Sequence, residues 1–209
     1  MKIRLLSWVV ALWLVGASVA QAGGNQVLRV MASTVRLTVV HPFGQGSCSA
    51  FSIDQKRSLF LTAQHCTRTK EVYITGDEAP VKIMYEDEFN DLAVIQAIGQ
   101  SRTSLKPAQT DIEAEVPVIL LGYGHGWNQP LSVAASSVEQ YLWFRHPLDL
   151  YTTFTPRCYG GQSGGPIVNT AGEVVSIVQR TKIKGNTCLG KPLSIILLST
   201  GQFWQYQQE

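Results

Sequence analysis

The chain of 209 residues is 45% apolar and 15% charged, with 18 Gly and 9 Pro. That balance excludes disordered, collagen-like and low-complexity proteins and suits one globular unit or two small packed ones. There are 17 Lys and Arg against 15 Asp and Glu; Lys2 and Arg4 lie in a removable leader, which leaves 15 of each sign and no electrostatic case for nucleic acid or an acidic membrane surface.

Residues 1–22 read as a signal peptide. Met1 to Arg4 form a short basic start, Leu5 to Val19 an apolar run, and Ala20-Gln21-Ala22 the small-x-small site of signal peptidase. The run falls short of the roughly 20 apolar residues that span a bilayer. The expectation is cleavage after Ala22, export to the periplasm or medium, and a domain over 23–209 with no stable membrane anchor once the signal is removed.

Short apolar or alternating runs then recur at intervals of about ten residues, the spacing of sandwiches and antiparallel barrels. VLRVMASTVRLTVV, SCSAFSI, LFLTA, EVYIT, VKIMYE and LAVIQAI come first, separated by turn formers such as HPFGQG and TGDEAP. A polar connector from Gly99 to Glu115 interrupts them. VPVILLGY, LSVAASSVEQYLWF, LYTTF, PIVN, EVVSIVQ and LSIILL follow. With no βαβ alternation the fold class is all-β, in two strand groups at about 25–102 and 114–198. The one helix with a start signal is terminal, Ser199-Thr200 capping Gly201 to Gln208.

All four cysteines, Cys48, Cys66, Cys158 and Cys188, follow the leader, and an oxidising compartment favours disulfides. Three pairings are possible. Their order in the chain suggests two local loops, 48–66 and 158–188, each stabilising by about 3–4 kcal/mol on the chain-entropy model. Zinc would need close Cys or His pairs, and the sequence has no C-x-x-C or H-x-H.

Three polar residues are candidates for catalysis. Ser163 sits in Gly160-Gly161-Gln162-Ser163-Gly164-Gly165-Pro166, where flanking glycines let the main chain aim N–H groups at a developing oxyanion. His65 follows an apolar strand and adjoins Cys66, whose disulfide would steady a general base. Asp91 opens the apolar run Leu92 to Ile95; accepting from the imidazole Nδ1–H, it would set the tautomer. Chain order discriminates between hydrolase types. The GxSxG of α/β-hydrolases requires Ser, then acid, then His, but His41, His65, His125 and His146 all precede Ser163. Subtilisin order would pair Asp54 with His65, or Asp91 with His125 or His146, none of which has a suitable loop. The order His65, Asp91, Ser163 is left.

LTAQHC, NDLAVI and GGQSGGPIV together resemble, in that order, the three catalytic motifs of the trypsin-like (chymotrypsin-fold) serine peptidases, in a bacterial-type exported form. The likeness runs from about Gly46 to Leu198. It implies two six-stranded antiparallel β-barrels with the active site between them and a short C-terminal helix. It further implies Ser163 as nucleophile, His65 as general base and acid, Asp91 as its orienting acid, and the N–H groups of Gly161 and Ser163 as oxyanion hole. Cys48–Cys66 would staple the His loop and Cys158–Cys188 would brace the specificity pocket. That pocket would have its floor near Pro156 and Arg157 and its wall at Gln179, Arg180 and Thr181. The implied substrate is a polypeptide, cut by a monomer without metal or organic cofactor.

Departures from the animal digestive members qualify the likeness. Neutral Gln162 stands where they carry the acid that pairs with a new N-terminus, so no zymogen cleavage is expected. Cys158 to Ser163 is one residue longer than usual, and no acid is placed to take a Lys or Arg side chain. An alternative is a catalytically silent binding or adhesion module on the same scaffold. An HtrA-like protease with a PDZ domain is not expected from the 46 residues after Ser163. His125 reads as a turn residue, Trp143, Phe144 and Trp204 as packing aromatics, and Glu86-Asp87-Glu88 as a solvated loop.

Overall fold

The strand signal is strongest in Thr34–His41 (β1), where β-branched residues alternate and Val35, Leu37 and Val39 face inward. The computed structural model describes residues 24–69, 71–77, 79–124, 131–143 (main chain), 150–155, 157–181 and 187–204. β1 forms a hairpin with β2 (Gly44–Asp54), and the sheet continues through β3 (Leu59–Thr62), β6 (Leu92–Gln96) and β5 (Lys82–Asp87), with β4 (Val72–Ile74) on the other side of β1. The first sheet thus has the order β4-β1-β2-β3-β6-β5, every pair antiparallel. Among the described residues, its ends meet at the Tyr73–Pro80 bridge and at a 2.8 Å bond from the Val81 N–H to the Val72 carbonyl.

The second group closes completely. β7 (Pro117–Gly122), β8 (Leu131–Trp143), β9 (Leu150–Thr155), β10 (Pro166–Val168), β11 (Val174–Thr181) and β12 (Cys188–Pro192) run as β10-β11-β12-β9-β8-β7, and β7 returns to β10. Closure removes the exposed edges an open sheet of this length would leave. Each barrel has its own core, one around Leu37, Phe60 and Ile95, the other around Leu120, Phe154 and Ile167. A third cluster lies between them, joining Phe51, Leu61 and Val94 to Leu121, Val168 and Ile177. This seam fixes how the barrels face each other. The connector helps: the Leu105 N–H reaches the Ser52 carbonyl of the first barrel, and Lys106 and Ala108 bond Val174 of the second.

Two apolar runs read as strands are helical. Residues 24–33, which include Val27 to Ser33 at the front of VLRVMASTVRLTVV, form a helix (α1) whose Val30 is buried in the seam. It stops where the Ser33 and Thr34 hydroxyls bond back to the carbonyls of Arg29 and Val30. LSIILL belongs to α2 (Leu193–Thr200), entered from Pro192 and burying Leu193, Ile196 and Thr200 at three- and four-residue spacing. A six-residue apolar run carries no periodicity that separates strand from helix; the seam each end covers made the choice. The terminal helix therefore begins earlier than its Ser-Thr signal suggests, and Gly201–Phe203 is one 3₁₀ turn. Trp204 is buried in the seam as a packing aromatic and donates to Thr200 Oγ1. Leader residues 1–22, Phe144 and the predicted helical residues 205–208 lie outside the described residues, as does the side chain of Trp143.

Candidate active site

His65 stands in a 3₁₀ turn, Gln64–Cys66, directly after β3. Its ring Nδ1 lies 2.9 Å from Asp91 Oδ2 and 3.1 Å from Oδ1, and its main-chain N–H donates to Oδ1 at 2.8 Å. A carboxylate only accepts, so Nδ1 carries the proton and Nε2 presents a lone pair to the cleft. Asp91 has φ of 55°, a left-handed conformation that Asp tolerates better than most residues. Two donors hold its carbonyl: the Gln64 N–H at 3.1 Å and Gln179 Nε2 at 2.8 Å.

Ser163 comes from the second barrel, on the loop between β9 and β10. The extra residue between Cys158 and Ser163 is absorbed in a tight turn, in which the Gln162 N–H donates to the Tyr159 carbonyl and the Tyr159 N–H to Gln162 Oε1, at 3.0 and 2.8 Å. Gln162, buried and neutral, thus closes the turn from within through its Oε1. Ser49 of β2 anchors the loop from the opposite barrel: its N–H donates to the Ser163 carbonyl and its hydroxyl to the Gly161 carbonyl, both at 2.8 Å. Among the described residues, the N–H groups of Gln162, Gly164 and Gly165 have main-chain acceptors, and those of Gly161 and Ser163 have none. The Ser163 hydroxyl donates to the Gln179 carbonyl at 3.0 Å rather than to His65 Nε2.

His65, Asp91 and Ser163 line one cavity of about 610 Å³ between the barrels. Tyr151, Tyr159, Gly160, Gln179, Arg180 and Thr181 form its second-barrel side, and Arg68, Glu88 and Phe89 lie opposite. Arg180 donates to the Tyr151 hydroxyl at 2.6 Å and stacks on that ring; Thr181 Oγ1 donates to the Cys158 carbonyl. Arg157 is exposed and stacks over Tyr159. Pro156 and His125 lie outside the described residues. Both disulfides, Cys48–Cys66 and Cys158–Cys188, are formed. Cys48, His65 and Cys66 place metal-type donor atoms within 4.8 Å of one another, but the two sulfurs are bonded together and Asp91 engages Nδ1.

The sequence profile of the trypsin-like peptidase domain matches residues 48–177, well over half of the chain. The chain belongs to the trypsin-like peptidase family. This trypsin-like peptidase is 26% identical over 150 residues to the pro-apoptotic serine protease NMA111 of Debaryomyces hansenii, covering 62% of the chain but only 15% of that protein. Its fold superimposes on the Rv3671c protease of M. tuberculosis in its active form with a TM-score of 0.76, 18% identity, and coverage of 87% and 85% of the two chains. The HtrA-type protease AlgW with a tripeptide gives 0.75 and 16%, covering 88% of this chain and 64% of the other. The homologues and the fold are those of serine-type endopeptidases.

Two residues of this trypsin-like peptidase site escaped the sequence, while Gln162 showed there only as a missing acid. Ser49 is one small polar residue in a strand. Asp87 read as a solvated acid, but it is half-buried and builds the turn that presents Asp91. It accepts from the Asn90 N–H and Nδ2 at 2.9 and 2.8 Å and from Ser199 Oγ of α2 at 2.7 Å. Glu86 beside it accepts from Thr67 Oγ1 at 2.7 Å. Burial pushes the Asp87 carboxyl upward, but the Asn90 and Ser199 bonds outweigh it and hold the group below its ordinary 3.8. A depressed carboxyl adds stability above its unfolded value, and that stability is lost as pH falls through the lower folded value. Asp87→Asn should therefore cost about 1 kcal/mol at pH 7, allowing for partial exposure. The gap from the parent should narrow below about pH 4. Urea unfolding at pH 7 and pH 3 checks this; an equal gap at both would refute it.

Proposed function

We propose that the protein is an exported serine endopeptidase that cleaves peptide bonds through an acyl-enzyme, with His65, Asp91 and Ser163 as its triad. The observation that carries this reading is the convergence of the three groups on one cleft, with the imidazole held so that Nε2 is the free base. Rotation about χ1 takes the Ser163 hydroxyl from the Gln179 carbonyl to Nε2, the kind of rotamer change side chains make in picoseconds to nanoseconds. His65 Nε2 takes the hydroxyl proton as Ser163 Oγ bonds to the scissile carbonyl carbon. The oxyanion is met by the N–H groups of Gly161 and Ser163, each such donor contributing on the order of 3 kcal/mol in the transition state. The C–N bond then breaks, the amine leaves with the proton held by His65, and water hydrolyses the ester by the same relay.

Export rests on the leader and the cleavage site after Ala22, and is supported by the two disulfides. No described helix is long and apolar enough to cross a membrane. Because Gln162 closes the serine loop internally, signal removal and oxidation suffice for activity. The likeness also supports action as a monomer on polypeptides without a metal or organic cofactor. Gln179, Arg180 and Thr181, which line the cavity, form the wall of the substrate pocket.

One observation favours a catalytically silent binding module: the Ser163 hydroxyl is hydrogen-bonded away from His65. A fluorophosphonate probe at pH 8 separates the two readings. Covalent labelling of oxidised protein, with no prior cleavage by another protease, is expected. A folded, disulfide-intact sample that takes no label would leave the silent module standing.

A further inference from the structure

Gln179 reaches both halves of the site. It lies in β11 where the pairing with β12 slips: Val178 faces Gly190, Arg180 faces Leu189, and Gln179 has no partner between them. Such a bulge takes a carbonyl out of the ladder and re-aims a side chain, and bulges gather beside active sites. Here the freed carbonyl accepts the Ser163 hydroxyl at 3.0 Å, and the side chain, 1% exposed, crosses the seam to donate Nε2 to the Asp91 carbonyl at 2.8 Å. The amide orientation follows from its partner, because only nitrogen can donate to a carbonyl oxygen. The Gln179 Oε1 is buried and, among the described residues, accepts nothing. Burying such an amide is costly, and packing alone would be served at least as well by an apolar side chain of this length.

We propose that Gln179 is a positioning residue of the site: its amide pins the left-handed main chain of Asp91, and so the carboxylate that orients His65, while its carbonyl holds the resting Ser163 hydroxyl. One bulge residue thereby sets the catalytic groups of the two barrels in register. Asp91 belongs to the first barrel and Ser163 to the second, and the left-handed Asp91 conformation persists only where neighbours over-determine it. The inference rests on the serine-peptidase reading above, and its test is arranged to tell their failures apart.

Two variants of purified, oxidised protein decide it: Gln179→Met, close in length and volume but without a donor, and Gln179→Glu, isosteric but with oxygen where the N–H was. Fluorophosphonate inactivation is followed over a range of probe concentrations, resolving the limiting rate from the half-saturating concentration. Misplacing a catalytic group slightly costs on the order of 10- to 100-fold, so the limiting rate should fall by that factor in both variants while the half-saturating concentration holds. A Gln179→Met protein reacting at the wild-type limiting rate would overturn the inference, because methionine fills the space equally well. Failure of the wild type to react would instead remove the peptidase reading. Should neither variant fold, hydrogen exchange of the wild-type Gln179 side-chain amide decides. Protection shows the bond to Asp91 formed in solution, and exchange at the free-amide rate overturns the proposal.

Discussion

Ser163→Ala should lower kcat against a peptide substrate by on the order of a million-fold, with KM nearly unchanged. The nucleophile supplies the bond that divides amide hydrolysis into two easier steps. What remains should be the small acceleration from the oxyanion donors and substrate binding. His65→Ala should lose about as much, because a hydroxyl without a base at hydrogen-bonding distance is a poor nucleophile near neutral pH. The double variant should be no worse than either single one, since the groups act as a unit. Neither variant should change the melting temperature appreciably, as both side chains are partly exposed and lie outside the barrel cores. Steady-state rates on a peptide library, with thermal melts of the same samples, test this. A Ser163→Ala protein retaining a tenth of the activity would mean that another group carries the chemistry.

Gly164→Ala should be the most damaging single methyl in the loop. Gly164 has φ of 82°, where an L side chain is strained. A Cβ there would be driven into the Ser49 carbonyl and the Thr62 hydroxyl, and would come within 2.9 Å of the Ala63 nitrogen. All three belong to the first barrel, and Thr62 Oγ1 is itself committed to the Ser49 carbonyl at 2.7 Å. Nothing on that side is a flexible tip, so the barrels must part or the serine loop must unfold. A loss above about 4 kcal/mol, with loss of fluorophosphonate labelling, is expected. Gly160→Ala is the control: four residues earlier, it meets nothing within 4 Å and should stay within about 0.5 kcal/mol of the parent. Urea midpoints of the two variants make the comparison, and a Gly164→Ala midpoint equal to that of Gly160→Ala would defeat it.

The residues legible in the sequence share one property: their chemistry is carried by local context. His65 beside Cys66, Asp91 before a buried run and Ser163 among glycines each have a signature within a few positions. Cysteine order suggests the two local disulfide loops among three possible pairings, and both are formed. Strand regions were legible where β-branched residues are dense, alternating in and out in Thr34–His41 and running continuously buried through Gln179 in Val174–Thr181. The ends were not: residues 24–33 and Leu193–Thr200 are helices, with Val30 and Ile196 buried in the inter-barrel seam and Leu193 in the core of the second barrel. Asp87 likewise looked like one of three exposed acids until Asn90 and Ser199 closed around it.

The sequence by itself determined which candidate groups the chain carries and their order, the two strand sets and the neutral Gln162, because these follow from residue type and short spacing. Only the tertiary structure decided how the two sets of groups meet. Ser49 bonds a loop more than 100 residues away, and Gln179 bridges to Asp91 across 88 positions. The Ser163 hydroxyl rests on a carbonyl exposed by a bulge. Those contacts depend on two barrels docked through a shared apolar seam, and no local pattern in the chain encodes where that docking brings one backbone against another.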